Sequence, residues 1–167
     1  MKKLILFLLG ALWLVSCTQT DDVDNYYIEY RPVLMTRTEL EKSISFQNAR
    51  ELDNTGNIYT KGTYVYINEK FKGIHIIDNQ DPQHPQNVGF ITVPGCLDMA
   101  IRNNTLLVDN AVDLVAIDIS DYTHPQVTKR VANAFPEHTF PNSNYLPDQY
   151  TADKRPPNTV IVEWIKN

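Results

Sequence analysis

The chain has few of the residues that would tie it to a ready-made structure or chemistry. Two cysteines, Cys17 and Cys96, occur in 167 residues, too few for a disulfide framework. No run of Lys and Arg exceeds two, and the formal net charge is -5. Nucleic acid is therefore excluded as a partner, because binding phosphates needs a basic patch. No apolar run reaches the roughly 20 residues of a membrane-spanning helix; the longest, Leu4 to Val15, stops short of that. The G-x-S-x-G, H-E-x-x-H, P-loop and dinucleotide fingerprints are all missing, which removes the motif-based routes to an enzymatic reading.

What is present begins with an address. Lys2 and Lys3 form a positive n-region ahead of the short apolar run, the pattern of a secretory leader to be left out of fold reasoning. The run ends in Leu14-Val15-Ser16-Cys17, which resembles a bacterial lipobox. That resemblance implies a signal peptide over 1–16 and lipid attachment at Cys17, giving a membrane partner through the anchor. Residues 17–29 read as a flexible acidic tether, with Thr18 to Asp24 polar and without periodicity. Thr18, in place of Asp, resembles outer-membrane sorting, and Asp21, Asp22 and Asp24 resemble the surface-export signal of Bacteroidota lipoproteins. The expected location is the outer membrane, lipid-anchored, with periplasmic and cell-surface orientations both open. A multiply acylated anchor holds stably where a single chain binds only marginally. Without Lys2 and Lys3 the chain keeps 13 basic against 20 acidic residues. Cys96, left without a partner, reads as a small buried hydrophobe.

After the tether, Asn25 to Leu34 carries Tyr26, Tyr27, Tyr30 and Pro32, an extended edge segment whose tyrosines pack on a sheet or stack on a sugar. Thr36-Arg37-Thr38-Glu39 has the spacing of a capping box, and Leu40 and Ile44 share a helical face. A short helix is expected from Arg37 to Ile44 within an N-terminal segment of residues 30–57. Gln47 to Asn57 is polar and reads as irregular turn structure.

From Ile58 the period becomes β. Thr63 to Asn68, Gly73 to Asp78 and Asn87 to Val93 follow a short strand at Ile58 to Lys61, making one four-stranded unit. Leu97 to Ile101, Thr105 to Asp109, Leu114 to Ile119 and Gln126 to Val131 make a second. The two units also repeat in detail: Asp78 and Asp118, Asp81 and Asp121, and Pro85 and Pro125 are each 40 residues apart. Upstream strands align at an offset of 42, with Asn68 matching Asn110, so the first unit has the longer middle turn. A period of this size marks a solenoid or propeller, in which one unit cannot bury its apolar face alone.

The repeated segment has a physical logic as a corner. Asp78 and Asp118 end apolar strands, where a carboxylate accepts from backbone N–H groups just ahead. Pro82, Pro85 and Pro125 fix φ and stop the ladder. Apolar-apolar-Asp-x-x-Asp-Pro-x-x-Pro after a Gly-led strand resembles the LVIVD repeat, a β-propeller blade motif of secreted bacterial proteins. The whole chain resembles LVIVD-containing lipoproteins of Bacteroidota. The resemblance covers Ile58 to Val131 and is weaker in the second unit, where Tyr122 replaces Pro and Asp113-Leu114 replaces the glycine. It implies a fold, a secreted location and a binding role, and brings no catalytic residues.

The expected fold is thus mainly β: two propeller-like, four-stranded antiparallel blades over 58–132, forming an incomplete propeller, with one short N-terminal helix. Residues 133–157, with half of the ten prolines, read as an irregular connection, and 158–167 as a C-terminal strand. Ile74 to Ile77 and Leu114 to Ile117 are nearly continuously apolar except at His75, so the strands want cover on both faces. Two blades shield only their shared face; terminal segments, another copy or a partner must cover the others.

No catalytic, cofactor or metal site is read. His84 and His124 are related by the repeat, but each precedes a proline in a corner, with no convergent ligand set. Asp78, Asp81, Asp118 and Asp121 suit glycoside chemistry or calcium by residue type, yet the repeat explains them as corners. The expected function is non-enzymatic binding of a protein or glycan. The alternatives are an extracellular carbohydrate hydrolase using acidic loop residues, and a shortened family member that self-associates or works only in an assembly.

Overall fold

The computed structural model describes residues 30–141 and 146–167. The leader, Cys17 and the tether, with Tyr26 and Tyr27, lie outside the described residues. The chain runs β1 (Tyr30–Thr36), α1 (Arg37–Glu41), β2 (Ser45–Gln47), β3 (Thr55–Lys61), β4 (Tyr64–Glu69), β5 (Gly73–Asp78) and β6 (Gln86–Thr92). It continues through β7 (Met99–Arg102), β8 (Thr105–Asn110), β9 (Asp113–Asp118) and β10 (Gln126–Val131), a 3-10 turn (Asp148–Tyr150) and β11 (Thr159–Lys166). No helix among the described residues is long and apolar enough to cross a membrane.

The fold is mainly β and propeller-like, with two antiparallel blades and no closed ring. The second blade has four strands, in the order β10-β9-β8-β7. The first has five, β2-β6-β5-β4-β3, one more than the β pattern predicts. The added strand is Ser45-Phe46-Gln47, three residues too short to show alternation, and it pairs with Phe90 to Thr92. Gly89 makes room for it: a Cβ there would lie 2.4 Å from the Phe46 ring. The helix is also shorter than the reading Arg37 to Ile44. Its capping box is present, with Glu39 N–H donating to Thr36 Oγ1 at 3.2 Å and Thr36 N–H to Glu39 Oε2 at 2.9 Å. It ends at Lys42 because Ser43 to Phe46 turn into the edge strand.

The main core lies between the blades. Tyr66, Ile74, Ile76 and Ile91 from the first meet Leu106, Val108, Val115 and Ile117 from the second. These side chains alternate along their strands, so each sheet gives one face to this core and turns the other outward. Both outward faces are also apolar, and the chain covers them by different means.

On the first blade the cover is a strap. β2 and β3 lie at opposite edges of the sheet, roughly 19 Å apart at a strand spacing of about 4.8 Å. Eight chain steps join Gln47 to Thr55; extended they reach about 26 Å, as a helix only about 12 Å. The polar run therefore crosses the sheet extended, and its anchors are specific. Asn87 Nδ2 donates to the Arg50 carbonyl at 2.7 Å, and the Arg50 guanidinium sits 4.9 Å over the Phe90 ring and 3.0 Å from Glu69 Oε1. Glu69 Oε2 in turn lies 2.6 Å from His75 Nε2. The polar break in the apolar strand is thus a buried His75–Glu69 pair under the strap.

On the second blade the cover comes from the two ends of the described chain. β1 and β11 form a two-stranded antiparallel sheet, with a bulge between Val33 and Leu34, and Pro32 sits at an edge as its missing N–H demands. Val33, Met35, Val160 and Val162 pack on Leu40 and on Ala111 and Val112 of the β8–β9 hairpin. The other side holds Ile161 and Trp164 against Phe140, Tyr150 and Tyr30, so the irregular segment supplies the second cover. A lone strand pair is marginal in water; this one is sandwiched.

Asp113, where the second repeat departs from the motif glycine, joins these parts. Its fully buried carboxylate accepts from Arg37 Nη1 and Nη2 at 2.9 and 3.0 Å, from Arg130 Nη1 at 2.7 Å and from Asn133 N–H at 3.0 Å. Burial opposes its ionisation, but the bonds from Arg37, Asn133 and Arg130 outweigh that and hold the carboxyl below its usual range. The first blade keeps glycine at this position because a Cβ on Gly73, at φ +150, would lie 2.1 Å from the Ile91 carbonyl oxygen.

Two outcomes follow. Asp113→Asn removes the buried counter-charge shared by Arg37 and Arg130, leaving Arg37 only its longer contact with Glu41 at 4.0 Å, and is expected to cost about 3 kcal/mol at neutral pH by urea unfolding. Because the folded carboxyl is depressed, this stability is present above pH ~4 and fades as pH falls through the folded value, so the gap to wild type closes in acid. Gly73→Ala is expected to cost at least about 2 kcal/mol, since the obstructing atom is backbone.

Candidate functional site

The repeated corners form tight local networks. Asp78 Oδ1 accepts from Gln80 N–H at 2.9 Å, and Asp118 Oδ1 from Ser120 N–H at 2.8 Å. Asp81 accepts from Gln83 N–H at 3.0 Å and His84 Nδ1–H at 2.8 Å. Asp121 accepts from Thr123 N–H and His124 Nδ1–H, both at 2.9 Å. Pro85 and Pro125 stand immediately before β6 and β10, and Pro82 lies in the first corner's turn. Bonds from Thr123 and His124 pull Asp121 down to about 2, and Asp81 and Asp118 are lowered by bonds from His84 and Ser120. Asp81 and Asp121 are exposed and Asp78 and Asp118 half-buried, and each carboxylate is used within its own turn. No group of three His, Cys, Asp or Glu side chains comes together to hold a metal among the described residues.

Tyr122, which stands where the first corner has Pro82, crosses between the blades. Its ring lies 5.1 Å from that of Tyr64 and 6.1 Å from that of Phe46, so the departure from the motif is an inter-blade contact. The pair Asn68 and Asn110, seen in sequence only as an alignment anchor, clamps the link between blades from both sides. Asn68 Nδ2 donates to Cys96 Sγ at 3.0 Å and Asn110 Nδ2 to the Pro94 carbonyl at 2.7 Å. Cys96 is fully buried, and burial pushes its thiol well above the usual range, away from nucleophilic chemistry.

The surface best shaped for a ligand is a cleft of about 760 Å³ on the outward face of the second blade. Ala100, Leu107 and Leu114 form its floor, on the sheet face opposite the main core. Tyr59 and Phe71 from the first blade, Leu97 from the inter-blade link and Phe135 to Thr139 line its sides. Phe135 N–H donates to the Val112 carbonyl at 2.9 Å and His138 Nε2–H to the Gly95 carbonyl at 2.8 Å, which pin the last of these segments. The cleft is the part of the outward face left open by the terminal strands.

Its polar groups are acidic. Asp109 accepts from Leu97 N–H at 3.0 Å and Asp98 N–H at 2.8 Å; burial raises its carboxyl above the usual range despite those bonds. Asp98 Oδ1 accepts from Asn57 Nδ2 at 2.5 Å and Met99 N–H at 2.7 Å. Glu137 pairs with Arg155. Burial lowers His138, which is therefore neutral at physiological pH, and its ring meets Phe71 edge-on at 5.4 Å. None of these residues is read from sequence as a site; Leu97 and Asp109 enter only as strand ends, and Asn57 and Phe71 only as turn residues. Only their convergence marks a site, and it joins segments from residue 59 to residue 139.

Comparison with known proteins places the repeats. The LVIVD repeat model matches the chain twice, over residues 54–92 and 101–133. The first match spans β3 to β6 and the second all but the first two residues of β7 to β10, so each blade carries one LVIVD repeat, β2 being an addition outside it. No curated protein and no solved structure matches the chain.

Asp109→Ala removes the acceptor for two adjacent N–H groups of the inter-blade link. The expected result is a loss of roughly 1–3 kcal/mol and faster amide exchange at Leu97 and Asp98, measured by hydrogen–deuterium exchange.

Proposed function

We propose that this chain is a lipid-anchored, extracytoplasmic binding protein, non-enzymatic, whose LVIVD repeats form a rigid mount for the cleft beside the second blade. The lipobox-like Leu14-Val15-Ser16-Cys17 supports attachment at Cys17 to the outer membrane. The observation that carries the binding reading is the cleft itself. A concave, largely apolar surface of about 760 Å³ with a few convergent polar groups is the usual form of a ligand site.

The mount is rigid for a stated reason. The cleft walls are fixed to the blades by the backbone N–H of Phe135, by the imidazole of His138 and by the clamp on the inter-blade link. The corner carboxylates, bonded in their own turns and depressed where shifted, lack the raised acid that glycoside hydrolysis requires. The cleft's own raised acid, Asp109, commits both oxygens to the backbone N–H groups of Leu97 and Asp98, and this together with the corners favours binding over hydrolysis. The strap and the terminal strands, which leave open only the cleft part of the outer faces, likewise favour a unit that stands without a second copy.

Metabolic labelling with palmitate tests the anchor: wild type is expected to take up label and fractionate with membranes, and Cys17→Ala to do neither. For the binding reading, Leu107→Trp fills the cleft floor. It is expected to keep palmitate and fold while losing a partner that the wild-type lipoprotein retains from the native envelope. Retention of that partner by Leu107→Trp, or turnover of a glycan by the purified chain, overturns the reading.

A further inference from the structure

The charge around the cleft is one-sided. Its lining contains Asp98, Asp109 and Glu137 and no Lys or Arg. Glu137 has Arg155 as its counter-ion, but the bonds found at Asp98 and Asp109 come from uncharged donors: backbone N–H groups and the Asn57 amide. Hydrogen bonds of that kind orient a carboxylate without cancelling its charge. Asp98 is exposed, so its charge faces solvent at the mouth. His138 adds no positive charge, since its Nε2–H is committed to the Gly95 carbonyl and burial disfavours its protonation.

A second, independent feature meets that charge. Among the described residues, three of the seven exposed large hydrophobics, Tyr59 at 37%, Leu97 at 37% and Phe135 at 41%, line this one cleft. Singly such residues are unremarkable; gathered around a groove they mark an interaction site. Tyr59 lies two residues along β3 from Asn57, the donor to Asp98, and the aromatic ring and the carboxylate both line the cleft. That combination suits a cation, attracted by the carboxylate and the ring together, with an apolar body against Leu107 and Leu114. An anionic ligand would be repelled, and a neutral sugar would leave the charge unanswered.

We propose that the cleft selects a peptide segment of a partner protein in which an arginine or lysine lies beside aliphatic or aromatic residues, its cation held between Asp98 and Tyr59. This rests on the cleft being the binding site. The chain's net charge of -5 assists the approach of such a segment by long-range attraction.

The test uses the intact chain in detergent micelles and fluorescein-labelled pentapeptides with arginine, glutamine or glutamate between leucine and phenylalanine, read by anisotropy. The arginine peptide is expected to bind about tenfold tighter than the glutamine peptide, with affinity falling as salt rises, and the glutamate peptide to bind weakest. Asp98→Asn and Tyr59→Leu are each expected to remove most of the arginine preference, while Asp148→Asn, an exposed acid outside the cleft, changes nothing. Circular dichroism checks that each variant is folded. Equal binding of arginine and glutamine peptides, abolished by Leu107→Trp, overturns the cation preference and leaves the cleft reading standing. Arginine-peptide binding that survives Leu107→Trp overturns both. Absence of binding by all three peptides overturns the peptide proposal, and a neutral oligosaccharide that then binds and is lost in Leu107→Trp identifies the cleft as a glycan site.

Discussion

A blade that is apolar on both faces is the constraint from which the rest of this structure follows. Two blades packed together hide two faces in one shared core, where Ile74, Ile76, Val115 and Ile117 are fully buried, and leave two more to be covered. A closed ring solves this by repetition; this chain solves it with caps. The first cap is an extended strap held by Arg50 and Asn87, the second a strand pair backed by the irregular segment. The caps differ because the material differs. A short polar connector reaches across a sheet only when extended, whereas the chain ends bring β-branched residues that bury a face of their own.

The hub at Asp113 shows how the second cap is tied to its blade. The glycine expected of the repeat is forced in the first blade by the approach of the Ile91 carbonyl. In the second, the hairpin is two residues shorter, and the position opens toward Arg37 and Arg130. The buried carboxylate then joins α1, β9 and β10 and the start of the irregular segment. Tyr122 is a parallel case: a corner residue that leaves the motif and packs on the neighbouring blade instead. Departures from a repeat are thus informative where the two copies face different surroundings.

The cleft follows from the same constraint. The terminal strands cover the β8–β9 hairpin end of the second blade, while Ala100, Leu107 and Leu114 stay under a roofless stretch bordered by Phe135 to Thr139. An uncovered remainder of a blade face is apolar by origin, and the inter-blade link places Leu97 and Asp98 on its wall. Acidic and aromatic groups therefore meet on an apolar floor with little added structure.

Sequence alone determined the period, the two blades, the corners' residue pattern and the need to cover the outer faces, because each depends on spacing along a few neighbouring residues. The capping box at Thr36 and Glu39 was legible for the same reason. The fifth strand was not, since three residues show no alternation and its signal is Gly89, 43 positions after Phe46. The strap was hidden as well: a polar run reads as turn structure until the sheet order sets the distance it must cross. Asp113 read as a flaw in the repeat because Arg37 is 76 residues away. The cleft was the least legible, as its walls join β3, the inter-blade link, β8, β9 and the irregular segment. Local pattern fixes strands and turns; which strands abut, and which face stays open, is decided only when distant segments compete to bury the same apolar surface.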